Sequence, residues 1–443
     1  MKKIIILGAA ESGVGAAMLA TKQGFEVFVS EKGKIKETFK KELTDLNIPF
    51  EENFHSEEKI LNADEIIKSP GIGEKTDIMK KIRAKNIPVI SEIEFASRYT
   101  TGKIIAITGT NGKSTTTSLI YDMMKREGLD VSLVGNIGFS FAKQICLRDT
   151  KYYVAEISSF QLDDCYDFHP HVALILNISE NHLDRYDYDF KKYAASKFRL
   201  IKNLTANDFF IYGADSKELM ENFPQNIQAQ LLPFSMTLKH EPGAWLEADS
   251  LFIKTKNQFF TMSIYELGLQ GKHNLFNSLA AGIAGNVLDL KKENIRESLS
   301  DFKSLEHRLE FVANIHGIEF INDSKSTTVN SAWYALESMN KPVVWIAGGV
   351  DKGNDYSILT DLIRSKVKAI VCMGADNRKI HEAFSSSVDL IVNTANAEEA
   401  VKAAYHFATK GDAVLLSPAC ASFDLFENFE DRGRQFKKYV RSL

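Results

Sequence analysis

The run Ile104-Ile-Ala-Ile-Thr-Gly-Thr-Asn-Gly-Lys-Ser-Thr115 constrains this chain more than any other feature of its sequence. Its apolar, largely β-branched opening reads as a buried strand. Gly109 and Gly112 then allow a tight turn, and Lys113, Ser114 and Thr115 open a helix. A strand that turns through glycines into a helix points successive backbone N–H groups, and the positive end of the helix, at an anion. Lys113 adds a full charge for outer phosphate oxygens, and the Ser114 hydroxyl can join a Mg²⁺ shell. The general pattern G-x-x-x-x-G-K-[ST] asks for glycine at position 107, where Ile107 stands, so the loop is a variant. A strand feeding such a loop belongs in a parallel sheet with both faces covered.

Strand–helix alternation continues on either side. Upstream, Ile4–Leu7, Glu26–Val29, Glu65–Lys68 and Ile87–Ile90 read as strands, with a helix over Val14–Gln23. Downstream of about residue 305 come strands Glu319–Ile321, Val343–Ala347, Ala369–Cys372, Leu390–Val392 and Ala413–Leu416. Between about 206 and 266 the runs shorten, as in Phe209–Tyr212 and Gln258–Ile264, and read as added antiparallel strands. A chain of 443 residues is about three typical domains long. The expected architecture is therefore α/β in three domains: a Rossmann-like domain over 1–97, a central P-loop ATPase-like domain over 98–304, and a Rossmann-like domain over 305–443.

Composition narrows the function classes. Fifty-four Lys+Arg against 58 Asp+Glu leave a net charge of −4, which argues against nucleic acid or an anionic membrane as partner. Cys146, Cys165, Cys372 and Cys420 stand singly, so neither a zinc knuckle nor a disulfide framework is expected. No apolar run approaches the roughly 18 residues of a membrane span. The opening Met1-Lys-Lys-Ile-Ile-Ile-Leu-Gly reads better as a first strand entering a turn than as a signal peptide. A cytoplasmic enzyme is expected.

The phosphate loop is one of an ordered set of blocks. Others are Glu156-Ile-Ser-Ser-Phe-Gln161, Asn181-His182-Leu-Asp-Arg-Tyr186, Ala195-Ser-Lys197, Gly271-Lys-His-Asn274 and His307-Arg308-Leu-Glu310. The set closes with Asn322-Asp323-Ser-Lys325-Ser-Thr327 and Ser417-Pro-Ala-Cys-Ala-Ser422-Phe423. Together they resemble the Mur ligases, the peptide synthetases that build peptidoglycan precursors, and the related folylpolyglutamate synthases. The last two blocks look most like the branch that adds D-glutamate. The resemblance covers essentially the whole chain.

That resemblance implies an ATP-dependent ligase joining D-glutamate to UDP-N-acetylmuramoyl-L-alanine through an acyl phosphate and a tetrahedral intermediate. ATP would lie on Gly109, Thr110, Asn111, Gly112, Lys113, Ser114 and Thr115, with Asn274, Arg308, Asp323 and Lys325 completing its site. Two Mg²⁺ ions would be held by Ser114, Glu156, His182 and Lys197, with Lys197 carbamylated. Lys113, Glu156, His182 and Lys197 would be the catalytic set. The UDP-substrate would meet Ser12, Glu31, Ser69, Gly71, Asn136, Gln161 and His182. D-Glutamate would meet Thr327, Lys352, Ser422, Phe423 and Phe429. A monomer is expected.

The residues alone say less at several of these places. Glu156 ends an apolar run, where ligands gather in open α/β sheets. Lys197 alone reads as a solvated lysine, and His307-Arg308 either as a polar linker or as the place of an arginine that closes on the site. The family usually has Asp before the histidine, and here Asn181 stands there. The turn Gly8-Ala-Ala-Glu-Ser-Gly13, with Glu31 at the next strand's end, would also suit NAD. A dehydrogenase, however, leaves Lys113 and the third domain without a role. Diaminopimelate ligases carry Asp-Asn-Pro-Arg, and Asp376-Asn377-Arg378 lacks the proline.

Overall fold

The computed structural model describes residues 1–256, 258–269, 271–302 and 306–443. The boundary read between 304 and 305 lies outside the described residues. The described residues are α/β and form three sheets.

The first sheet has five parallel strands in the order Phe50–Glu51, Glu26–Ser30, Lys3–Leu7, Glu65–Lys68, Val89–Ser91. Its central strand reads Lys-Ile-Ile-Ile-Leu because both faces are covered, leaving no polar side. Helix Glu11–Lys22 starts a turn earlier than the apolar pattern at Val14 suggests. The Ala10 carbonyl already accepts the Val14 N–H at 2.9 Å, so the polar Glu11 and Ser12 form its first turn. Gly8, at φ +93°, must be glycine: a Cβ there would stand 2.5 Å from Ser69 Oγ.

The second sheet has nine strands. Its parallel part runs Gln230–Ser235, Phe209–Gly213, Val172–Ile175, Lys103–Thr108, Tyr152–Glu156, Val131–Gly135. Gly243–Glu247 joins Gln230–Ser235 in parallel, and only Ser250–Lys254 and Phe259–Ser263 extend the sheet antiparallel. The expectation of an antiparallel run from about 206 is corrected for Phe209–Gly213, which continues the parallel sheet. Short alternating runs look alike in either orientation. Here the connection through helix Lys217–Glu221 returns the chain parallel.

Both sheets belong to one compact unit, Met1–Gly268 with Asn274–Phe302. They share a core in which Ile4, Val14 and Phe95 join Phe141, Tyr153 and Ile175. Helix Glu11–Lys22 packs closely on the segment that opens helix Phe141–Leu147: a Cβ on Gly15 would lie 1.9 Å from Ser140 Oγ. Lys22 Nζ donates to the Cys146 carbonyl at 2.7 Å, and Lys143 pairs with Glu42 at 2.9 Å.

Glu92 is buried at this junction and accepts the Ala142 N–H at 2.5 Å. Burial, with a smaller push from Glu11, raises its carboxyl to about 7. The folded protein then holds a proton that the unfolded chain has lost, so stability falls as pH rises from about 4.5 to about 7. Glu92→Gln keeps the acceptor without the charge. We expect thermal unfolding at pH 8 to show the variant more stable than wild type, by on the order of 3 kcal/mol, with the gain vanishing below pH 5. Equal stability of the two proteins at pH 8 would exclude this role for Glu92.

The other compact unit is Leu269–His273 with Lys303–Leu443. Its sheet runs Glu310–Ile315, Ile318–Asn322, Ala413–Leu416, Val343–Ala347, Val367–Met373, Ile391–Thr394, with only the first strand antiparallel. Trp345, fully buried, donates its indole N–H to the Ser417 carbonyl at 2.8 Å. Among the described residues no helix is long and apolar enough to cross a membrane.

Candidate active site

The phosphate loop leaves strand Lys103–Thr108 and enters helix Lys113–Arg126. Gly112 caps that helix at φ +83°, and a Cβ there would stand 2.2 Å from Asn277 Oδ1. Asn277 lies one turn beyond Asn274 on helix Lys272–Val287, so Asn274 rides on the element that packs against the loop. The loop is also fixed from the neighbouring strand. Asn177 accepts the Asn111 N–H at 2.9 Å and donates to the Asn111 carbonyl at 3.1 Å. Thr110 bonds the Ser179 carbonyl at 3.1 Å and the Tyr193 hydroxyl at 3.0 Å. Ser114 and Thr115 lie buried in the helix's first turn.

Two lysines converge on one carbonyl of this loop. Lys113 Nζ donates to Gly109 at 3.0 Å and to Thr110 at 3.0 Å, and Lys197 Nζ donates to Gly109 at 2.9 Å. The solvated reading of Lys197 is corrected: it is 2% exposed, on helix Phe190–Phe198, with its Nζ 4.8 Å from the Tyr193 ring centre. Burial first, and the Lys113 charge second, hold its amine well below the usual lysine range, against a pull from Asp163.

Glu156 ends strand Tyr152–Glu156 in register with Ile107, and is buried. Asn136 Nδ2 donates to its Oε1 at 2.8 Å. His182 sits at φ +53° ahead of a short helical turn, its ring meeting Phe160 edge-on at 5.0 Å. Phe160 precedes the buried Gln161, whose side chain accepts from the Ser158 backbone at 2.9 Å in a reciprocal cap. In the first sheet Glu31 accepts the N–H groups of Ala9 and Gly33, each at 2.9 Å, so its carboxylate sits over the glycine turn. Ser12 lies in the helix's first turn, and Ser69 and Gly71 occupy the turn after strand Glu65–Lys68. Arg185 Nη2 ties that turn, through the Ile72 carbonyl at 3.2 Å, to the segment carrying His182.

In the other unit, Arg308 lies just before strand Glu310–Ile315 and Phe429 opens helix Phe429–Val440, while the loops after strands Ile318–Asn322, Val343–Ala347 and Ala413–Leu416 carry the other candidates. Asp323 is buried and accepts from Ser326, from Ser417 at 2.9 Å and from the Leu309 N–H at 3.2 Å. Burial pushes its carboxyl up to about 6, against those hydrogen bonds and the Arg308 charge. Lys325 Nζ stands 5.3 Å from the Phe429 ring centre. Thr327 is half-buried, Ser422 is buried, and Lys352 and Phe423 are exposed. His307 is buried and within 2.9 Å of Asn322 Nδ2, so it is a packed residue rather than a linker. The cluster Glu306, His307 and Glu310 already receives the Lys437 ammonium, at 2.5 Å from Glu306 and 2.9 Å from Glu310.

Asn177, Tyr193 and Asn277 escaped the sequence reading. Tyr193 had one usable signal, its place four residues before Lys197 on the same helix face.

Three family models match successive stretches of the chain. The profile described as "MurD N-terminal domain" matches residues 3–78, "Mur ligase middle domain" residues 107–285, and "Mur ligase, glutamate ligase domain" residues 307–420. The chain is 50% identical to a protein of Christiangramia forsetii and 51% identical to one of Bacteroides thetaiotaomicron, covering all of each chain. Both are named UDP-N-acetylmuramoylalanine–D-glutamate ligase. Among solved structures, UDP-N-acetylmuramate–alanine ligase MurC of Thermotoga maritima matches with TM-score 0.64 at 16% identity, covering all of both chains. MurF ligase of Thermotoga maritima in complex with ADP matches with TM-score 0.60 at 15% identity, covering 94% of this chain and 95% of that one. These likenesses show a shared fold.

Proposed function

The chain belongs to the Mur ligase family, and from that premise we propose that it joins D-glutamate to UDP-N-acetylmuramoyl-L-alanine at the expense of ATP, in peptidoglycan precursor synthesis. The observation that carries the reading is the 109–115 loop with Lys113 and Lys197 on one carbonyl, in a chain half identical over its full length to enzymes bearing that name. We assign 1–97 to the UDP-substrate, 98–304 to ATP and 305–443 to the amino acid.

A carboxylate is a poor acyl donor until phosphorylated. The substrate carboxylate attacks the γ-phosphorus, ADP leaves, and the glutamate amine displaces phosphate from the acyl phosphate through a tetrahedral intermediate. Negative charge accumulates in both steps, so fixed donors and cations govern the rate. The loop N–H groups of 109–115 hold the phosphates, and Lys113 turns from its carbonyls to the transferred group. Asn274, Arg308, Asp323 and Lys325 complete the nucleotide site. Ser12, Glu31, Ser69, Gly71, Asn136, Gln161 and His182 take the UDP-substrate. Thr327, Lys352, Ser422, Phe423 and Phe429 take glutamate, whose two carboxylates call for a cation and several donors.

A buried carboxylate at a strand end and a hydroxyl in the helix's first turn are hard oxygen donors suited to Mg²⁺. Ser114 and Glu156 would hold one ion, and His182 with a carbamylated Lys197 a second. Bound Mg²⁺ neutralises phosphate charge during transfer. We place the enzyme in the cytoplasm as a monomer.

The test is mass-spectrometric ligation with UDP-N-acetylmuramoyl-L-alanine and a panel of amino acids. D-Glutamate is the expected substrate, and preference for L-glutamate or a diamino acid overturns the assignment. Lys352→Ala should raise the KM for glutamate at least about tenfold with the ATP KM within about twofold, since it removes a charge from one substrate only. An unchanged glutamate KM would remove Lys352 from the pocket.

A further inference from the structure

The residues assigned to glutamate sit on three loops far apart in sequence, and one side chain bonds all three. Arg432, on helix Phe429–Val440, has no exposed surface. Its Nε donates to Ser324 Oγ at 3.0 Å and its Nη2 to the Ser324 carbonyl at 2.9 Å. Its Nη1 reaches the Cys420 carbonyl at 3.2 Å and the Gly348 carbonyl at 3.5 Å. Ser324 lies three residues before Thr327, Gly348 four before Lys352, and Cys420 two before Ser422. Ser324 Oγ in turn donates to the Phe429 carbonyl at 2.8 Å, which joins the start of the same helix to the set.

All of its hydrogen bonds among the described residues go to carbonyl and hydroxyl oxygens, none to a carboxylate. Burial pulls the guanidinium down to about 10, so it stays charged at neutral pH. Sealing a cation away from water costs stability that apolar packing would not. A planar fork of five donors, however, can fix the directions of several carbonyls at once. The loops are also stitched by their own backbones: Ala419 N–H to Ser326 at 3.0 Å, Gly348 N–H to Pro418 at 2.9 Å, and Val350 N–H to Ala421 at 2.8 Å. Their fold therefore does not hang on Arg432 alone, and what the fork adds is placement.

We propose that Arg432 is a positioning residue for the incoming amino acid, holding the loops after residues 322, 347 and 416 so that Thr327, Lys352 and Ser422 present one pocket. Arg432 itself does not touch the amino acid. The inference rests on the assignment of that pocket to glutamate made above.

The experiment compares Arg432→Lys with wild type in the full-length enzyme, measuring thermal unfolding and the separate KM values for D-glutamate, UDP-substrate and ATP. Lysine keeps the charge but gathers its donors on one nitrogen, without the planar fork whose three separate nitrogens reach Ser324, Gly348 and Cys420. We expect a folded variant with the glutamate KM raised at least about tenfold and the other two KM values within about twofold, because small misplacements of binding groups are costly. A glutamate KM within twofold of wild type, or an equal loss in all three, overturns the proposal. If the lysine variant does not fold, Ser324→Ala removes one acceptor and is read the same way, with about a threefold rise expected. If wild type ligates an amino acid other than D-glutamate, the function proposed above fails. The positioning role is then judged on that amino acid's KM by the same thresholds.

Discussion

Lys113→Ala is expected to lower kcat for ligation at least about a thousandfold while the protein stays folded. Removing one donor aimed at developing charge commonly costs several kcal/mol in the transition state. Lys113 is the first residue of helix Lys113–Arg126, and its amine now rests on the Gly109 and Thr110 carbonyls, within reach of whatever the loop holds. The loop keeps its shape without it, through the paired Asn177–Asn111 bonds, the Thr110 bonds and the close seat of Gly112 on Asn277. The melting temperature should therefore move by only a few degrees, as about 1 kcal/mol does in a large domain. Phosphate release and product mass check the loss. Turnover above about a tenth of wild type would contradict the role, since tenfold is only ~1.4 kcal/mol.

Much of this was legible in the sequence for one physical reason. Strands buried on both faces read as unbroken apolar runs, so Ile4–Leu7, Ile104–Ile107, Val343–Ala347 and Ala413–Leu416 announce themselves. The same logic does not set partner direction where runs are short: Phe209-Phe-Ile-Tyr-Gly213 is itself apolar and buried, and only its pairing shows that it continues the parallel sheet. Lys197 shows another limit. In Phe190-Lys-Lys-Tyr-Ala-Ala-Ser-Lys-Phe198 three lysines look alike, and only tertiary packing decides that the last is enclosed while Lys191 and Lys192 face water. Arg432 hides in Glu430-Asp-Arg-Gly-Arg434, which reads as a solvated charged turn. The one local hint is Gly433, whose lack of a side chain lets the helix pack closely beside Arg432: a Cβ there would lie 2.1 Å from His307 Nδ1.

Lys197→Ala is expected to lower kcat at least about a hundredfold, and acetate is expected to restore part of the activity. The motive is the state of the amine. Carbamate formation consumes a neutral amine and CO₂, forming an N–C bond and releasing one proton, and an ordinary lysine is almost wholly protonated at neutral pH. Lys197 is enclosed, donates to the Gly109 carbonyl at 2.9 Å, and shares that carbonyl with the Lys113 ammonium, so its own charge is opposed by both burial and a like neighbour. The modified side chain would replace a cation by an anion beside the phosphate loop, relieving that repulsion and offering oxygen donors to a hard metal ion. Enzyme in ¹³C-bicarbonate should show a carbamate carbon signal that Lys197→Ala lacks, and wild-type activity should fall in CO₂-depleted buffer and return with bicarbonate. Lys113→Ala sharpens the test, because removing the neighbouring charge raises the affinity of Lys197 for its proton and should weaken the carbamate signal at neutral pH. An unmodified Lys197 in bicarbonate-saturated enzyme, together with an active alanine variant, would leave the lysine no part in the reaction.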